Sequence, residues 1–83
     1  IEVMCLQSLD KESAENGKRS QTWQCMVGNL KRWKEQITLK LSLEQTTLEA
    51  TLVKKNGEDN EILFSWSGDL LFLEILEKAG RIP

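Results

Sequence analysis

Three runs of alternating apolar and polar residues between Ile37 and Ser67 most strongly constrain what this chain can fold into. The apolar positions recur at every second residue in three groups: Ile37, Leu39, Leu41 and Leu43; Leu48, Ala50 and Leu52; Ile62, Phe64 and Trp66. A period of two is typical of antiparallel strands that bury one face. We therefore predict three consecutive strands of one antiparallel sheet, whose apolar face other parts of the chain must cover.

The need to keep these apolar positions on one face fixes the predicted register of both hairpins, because a slip of one residue would turn every side chain to the opposite face. The first hairpin is expected to pair Leu41 with Ala50 across a four-residue loop, 44–47. The second is expected to pair Ala50 with Ile62 across a three-residue loop, 55–57.

Residues 20–36 are predicted to form an amphipathic helix. The apolar residues at helical spacing are Trp23, Met26, Val27, Leu30 and Trp33. Gly28 weakens this prediction, since a glycine inside a helix costs about 1 kcal/mol relative to alanine. The alternative is a strand over 22–27 with Trp23, Cys25 and Val27 on one face. Cys25 distinguishes the two, because it faces solvent in the helix and the core in the strand.

A second helix is predicted over 69–79, where Asp69 can cap its start and Gly80 stands at a typical stop position. The alternative is a returning strand over 71–76. Residues 1–9 are apolar on both faces and are expected to form a central strand. Residues 10–19 are polar and without periodicity, so we expect a flexible loop.

These elements predict an α+β fold of order β-α-β-β-β-α, an antiparallel sheet with helices packed on one face. The length of 83 residues suits one domain spanning 1–83. The chain opens on isoleucine rather than methionine, and we therefore expect a fragment of a longer protein. It contains no apolar run of about 18 residues, which predicts no membrane span.

The composition disfavours several classes of function. The chain lacks histidine, has a net charge of −2 and has two cysteines twenty residues apart, Cys5 and Cys25. Histidine is the usual general base and the commonest metal ligand, so we expect no enzyme activity, no metal site and no cofactor. Two cysteines without a secretory signature are more typical of free thiols, and we expect an intracellular location, cytoplasmic or nuclear.

The expected function is that of a non-catalytic protein–protein interaction or regulatory module in a larger complex, with a protein partner or a second copy of the chain. Three tryptophans in so short a chain are most simply core residues, but one of them could instead anchor a partner. Apolar residues that lie off the main stripes would supply the docking surface. The candidate partner-binding residues are Trp66, Leu71, Phe72 and Leu63.

Nucleic-acid binding is the alternative function. It would use the basic face of the helix over 20–36 and the loop before it, because cations contact phosphates and an aromatic ring can stack on a base. The candidate contacts are Lys18, Arg19, Lys31, Arg32 and Lys34. An enzymatic role ranks third.

The segment Phe64-Ser65-Trp66-Ser67-Gly68-Asp69, joining the last strand to the last helix, and the element order resemble the kinase-associated domain at the C-terminus of some protein kinases. That resemblance implies autoinhibitory or subunit contacts. Residues 20–79 are also similar in element order to a double-stranded RNA-binding domain. That family requires a lysine cluster at the start of its second helix, where this chain has Asp69-Leu70-Leu71-Phe72.

Overall fold

Six antiparallel strands and one short helix form the described part of the chain. The computed structural model describes residues 2–28, 30–43, 46–57 and 59–79. The elements are β1 (Glu2–Ser8), β2 (Ser13–Glu15), β3 (Lys18–Gly28), a 3₁₀ turn (Leu30–Arg32), β4 (Thr38–Ser42), β5 (Thr47–Lys54), β6 (Asn60–Ser67) and α1 (Phe72–Ala79). The sheet order is β1-β3-β6-β5-β4, and β2 pairs with β3 beside β1.

The predicted helix over 20–36 is wrong. Most of this segment belongs to β3, which pairs with β1 and β2 along one side and with β6 along the other. Cys25 is fully buried, as the strand alternative required. Because Trp23, Cys25 and Val27 share one face of β3, a strand buries them together and also satisfies its backbone groups on two neighbours.

The α+β fold class is corrected by this change. The described part of the chain is essentially a small all-β fold with one short helix. The antiparallel sheet itself is confirmed. The C-terminal helix predicted over 69–79 is present from Phe72 to Ala79. Gly80, its predicted stop, lies outside the described residues.

The start of α1 is capped by glutamates rather than by Asp69. Glu74 accepts a hydrogen bond from the backbone N–H of Leu71 (3.3 Å), and Glu12 accepts one from that of Phe72 (3.3 Å). Carboxylates stabilise the positive end of the helix dipole and satisfy N–H groups that lack partners inside the helix. Glu12 thereby ties the β1–β2 connection to α1.

The N-terminal third differs from the prediction in two respects. The predicted strand over 1–9 is confirmed as β1, but it lies at an edge of the sheet rather than at its centre. The predicted loop over 10–19 contains β2 and the first residues of β3. A tight turn joins these strands at Asn16 and Gly17, both with positive φ (54° and 78°), which is the requirement of a type I′ turn.

Both hairpins keep the predicted buried face but pair two residues away from the predicted register. Leu41 lies opposite Leu48, and Ala50 lies opposite Phe64 rather than Ile62. A slip of two residues preserves the face because side chains alternate with period two. Parts of both predicted loop regions lie outside the described residues. These are residues 44 and 45 of the first loop and residue 58, directly after the second.

Asn60 fixes the connection between β5 and β6. Its fully buried amide accepts a hydrogen bond from the N–H of Asn56 (2.9 Å) and donates to the carbonyls of Gly57 (2.8 Å) and Cys25 (3.3 Å). One side chain therefore closes the turn and joins it to β3. An irregularity between Leu52 and Lys54 absorbs the extra residue that this arrangement requires.

Phe72 covers the centre of the inner sheet face. Its ring centroid lies 5.2 Å from that of Trp23, 4.8 Å from that of Phe64 and 5.4 Å from that of Trp66. Trp33 is also part of the core, and its indole N–H donates to the carbonyl of Ile37 (2.8 Å). The other fully buried apolar residues are Cys25, Leu48, Leu52, Ile62, Phe64, Trp66 and Ile75.

Within the described ranges, no helix is long and apolar enough to cross a membrane. The same residues contain no cluster of three or more side chains of the kinds that bind metal ions.

We expect Phe72→Ala to lower the free energy of unfolding by about 3–5 kcal/mol, because it removes the ring that contacts three other aromatic rings. Urea unfolding followed by tryptophan fluorescence measures the change. Leu73→Ala is the matched control on the same helix, since Leu73 is 66% exposed, and it should change stability by less than about 0.5 kcal/mol. Equal effects of the two substitutions would contradict this account of the core.

Asn60→Ala should destabilise the fold by about 2–3 kcal/mol, because it leaves one backbone N–H and two carbonyls without their partner. Asn56→Ala is the control. It removes an exposed amide but retains the backbone N–H that Asn60 binds, and should be nearly neutral. If the free energies of unfolding of the two variants coincide, the turn does not depend on the Asn60 amide.

Candidate interaction surface

The structure does not bring the four predicted partner-binding residues together. Trp66 and Phe72 are buried in the core, so the surface available to a partner excludes them. The indole N–H of Trp66 donates to the carbonyl of Leu70 (2.7 Å), which holds the ring beneath α1. Leu63 is partly buried on the outer face of β6, between Thr22 and Thr51. Leu71 alone of the four is exposed, beside the start of α1 on the inner side of the sheet.

The five predicted nucleic-acid contacts fall into two groups at opposite ends of β3. Lys18 and Arg19 begin the strand, whereas Lys31, Arg32 and Lys34 follow its end. Ten residue steps of extended chain separate the two ends by about 30 Å. The first group is also engaged within the fold, since Lys18 pairs with Glu49 (3.4 Å) and Arg19 donates to the carbonyl of Gly68 (3.0 Å). The cations do not form one continuous patch.

An apolar pair lies on the outer face of the sheet, where β1 meets β3. Met4 and Met26 are directly opposite each other across the two strands. They alternate with Cys5 and Cys25, which turn to the inner side, and they are 63% and 46% exposed. Leu6, the extra residue of a bulge in β1, is also exposed. Methionine side chains suit a contact surface because they adapt to the shape of a partner.

The backbone of β1 forms a free edge of the sheet beside this pair. Among the described residues, β1 pairs with β3 alone, so its other side presents backbone donors and acceptors. The strand is seven residues long, has no lysine and no proline, and has one charged residue, at its first position. The bulge at Leu6 is the one protective feature of an edge strand that β1 carries.

The opposite edge of the sheet is protected in the usual way. β4 has five residues, and its outer-facing residues are the exposed Thr38, Lys40 and Ser42. A short edge strand with a central lysine disfavours pairing with another chain, because that pairing would desolvate the ammonium group. The two edges of one sheet are thus unequal, and β1 is the one suited to pairing.

Two thiols lie beneath the methionine pair. Cys5 and Cys25 are opposite each other in the β1–β3 register, and the Sγ of Cys25 donates a hydrogen bond to the Sγ of Cys5 over 3.6 Å. This bond lowers the pKa of Cys5, against the opposing effect of burial. The pKa of Cys25 is strongly raised by the same hydrogen bond, and also by burial and by the negative charge on Cys5. Cys5 is also the more exposed of the two, so it is the thiol that more readily loses its proton.

A hollow of about 400 Å³ lies beside the β2–β3 hairpin. Its lining residues are Glu15, Asn16, Lys18, Ser20 and Ser65. Three of these side chains are exposed, and the other two are partly buried on the outer face of the sheet. The hollow is lined by polar residue types and is open to solvent, unlike the enclosed clefts that hold small molecules.

Sequence reasoning missed the surface formed by Met4, Leu6 and Met26. The sequence signal for this surface was the presence of apolar residues on both faces of the strand predicted over 1–9. That pattern predicts a strand in the centre of a sheet, but it is equally typical of an edge strand whose outer face is left exposed. The spacing of Met26 from Trp23 further placed it in a helical stripe, so its pairing with Met4 could not be seen.

Comparison of the chain with protein-family models, with curated proteins and with solved structures finds no significant match in any of the three.

Proposed function

We propose that this protein is a non-catalytic interaction module that associates through the β1 edge, and that the strand added at this edge is β1 of a second copy of the chain. The free edge of β1, protected only by the bulge at Leu6, lies beside an exposed methionine pair, and this is the observation that supports the proposal. An edge strand gains backbone hydrogen bonds from a new neighbour, and apolar side chains on the adjacent face contribute burial.

A second copy fits this edge because antiparallel pairing of one strand with itself is symmetric. A twofold axis perpendicular to the sheet would place each backbone group of β1 opposite its complement on the other β1. The same axis leaves the two outer faces on one side, so Met4 and Met26 of both copies extend a single apolar strip. The one charged position of β1 lies at its start, and antiparallel pairing places it opposite the uncharged end of the other strand.

The size of this contact sets its strength. Stable interfaces bury roughly 1,200–2,000 Å² of surface, and pairing of two seven-residue strands buries less than this. The bulge at Leu6 further shortens the part of β1 that can form regular strand pairing. We therefore expect a reversible dimer with a dissociation constant of roughly micromolar or weaker. Such an affinity suits a module whose association is reinforced by other contacts in a larger assembly.

Met4→Lys is expected to weaken self-association at least about tenfold, because a lysine on an edge strand must lose hydration when another strand pairs beside it. Sedimentation velocity over a wide range of protein concentrations measures the dissociation constant. Circular dichroism of each variant verifies that the fold is retained, which we expect since Met4 is 63% exposed.

Leu73→Lys provides the matched control, since it introduces the same charge at an exposed leucine on α1, which lies on the opposite side of the sheet from Met4. It should leave the dissociation constant unchanged. A wild-type chain that stays monomeric at the highest concentration would overturn the proposal. So would a dimer that Met4→Lys does not weaken, or one that Leu73→Lys weakens equally.

A further inference from the structure

The paired thiols of β1 and β3 form a second feature with chemistry of its own. Cys5 and Cys25 are the two cysteines of the chain, and the fold places them opposite each other on adjacent antiparallel strands. Twenty residues separate them in sequence, so their proximity results from strand pairing. Both are free thiols in the structure.

The strand geometry suits a disulfide. Residues directly opposite each other in an antiparallel pair have Cα atoms about 4.5 Å or 5.5 Å apart, and both values fall within the range of roughly 4.4–6.8 Å seen for bridged cysteines. The two sulfur atoms are already in contact at 3.6 Å. Closing them to a bond of about 2.05 Å requires a movement of roughly 1.5 Å. β1 can supply that movement because it is an edge strand with a bulge directly after Cys5.

We propose that Cys5 and Cys25 form a reversible intramolecular disulfide by exchange with a small-molecule disulfide, and that this bond fastens the edge strand β1 to β3. Cys5 is partly exposed and Cys25 is fully buried, so the structure assigns the first attack to Cys5. The lowered pKa of Cys5 favours the same order, because the thiolate is the nucleophile.

The exchange proceeds in two balanced steps. The Cys5 thiolate attacks one sulfur of the small disulfide, forms a mixed disulfide and expels one small thiolate. The Cys25 sulfur then attacks the Cys5 sulfur, loses its proton to solvent and expels the second small thiolate. The two protein thiols are oxidised together, and one small disulfide is reduced to two small thiols.

The bond has a mechanical consequence. It closes a loop of about twenty residues that includes β2 and part of β3, and loops of this length are stabilised appreciably by cross-linking. The melting temperature should rise by roughly 10 °C or more. Amide hydrogens of β1 should exchange more slowly, because the edge strand can no longer separate from the sheet without the bond.

To test this, the folded chain is incubated with oxidised glutathione. The protein concentration is kept low enough for the chain to remain monomeric. The expected product has lost the mass of two hydrogen atoms and reacts with no thiol reagent. Trypsin, which cleaves after Lys11, Lys18 and Arg19, should release the Cys5 peptide joined to the Cys25 peptide. Reduction should restore the original mass and melting temperature.

Single substitutions test the order of attack. Cys25→Ala should accumulate a stable mixed disulfide between glutathione and Cys5, whereas Cys5→Ala should remain largely unmodified because Cys25 is buried. Should Cys25→Ala fail to fold, the joined peptides and the hydrogen exchange of the wild-type chain still decide the matter. The proposal is overturned if the wild-type chain stays reduced, stops at a single glutathione on Cys5, or forms disulfides between chains. Because the reaction is carried out on the monomer, its result is independent of the proposed self-association.

Discussion

The burial of one sheet face beneath a very small cover is the constraint on which this structure depends. In the described part of the chain, the inner face is covered by a helix of eight residues and by the segment around Trp33. A cover this small must contribute large side chains, because the apolar area removed from water determines the free energy gained on folding. Phe72 meets three aromatic rings at once. Large aromatic rings are consequently needed on the inner face, which explains why Trp66 is part of the core and not part of a docking surface.

The same constraint shapes the outer face. No helix among the described residues covers it, so its exposed side chains must tolerate water. Most of the outer-facing positions on β3, β5 and β6 are polar, as Thr22, Glu49 and Ser65 are. Leu63 departs from this pattern but is partly buried, whereas Met4 and Met26 depart from it as an exposed pair where β1 joins the sheet. The departure coincides with the less protected edge of the sheet, whereas the better protected edge at β4 carries a polar outer face. Two independent features therefore mark the same strand.

The alternation of apolar and polar residues made the meander and its buried face predictable. Every second side chain of a strand points to the same face, so a strand places Leu48, Ala50 and Leu52 together. The exact register was not predictable, since a slip of two residues leaves the same face buried. For β5 and β6, the turn is closed by the Asn60 amide, whose contacts no apolar pattern reports. β3 was mistaken for a helix because Trp23 and Val27 fit both periods, while Met26 fits the helical period alone. What decided between them is long-range: β3 finds partners on both sides, and no local pattern reports them. The surface at β1 was missed for the same reason.

The attachment of β1 is weaker than that of any central strand, and its chemistry reflects this. β1 pairs on one side, and of its residues Val3 and Cys5 pack against the core. Neither side chain is large, so the apolar contribution that holds the strand is modest compared with that of β6, which buries Ile62, Phe64 and Trp66. A strand that is lightly held can shift to meet a new neighbour, but it can also separate from the sheet. The thiol pair lies at the one contact between β1 and β3 where a covalent bond could offset that weakness. Because the thiols face inward and the methionines face outward at adjacent positions, such a bond would steady the edge without occupying the surface that a partner would use.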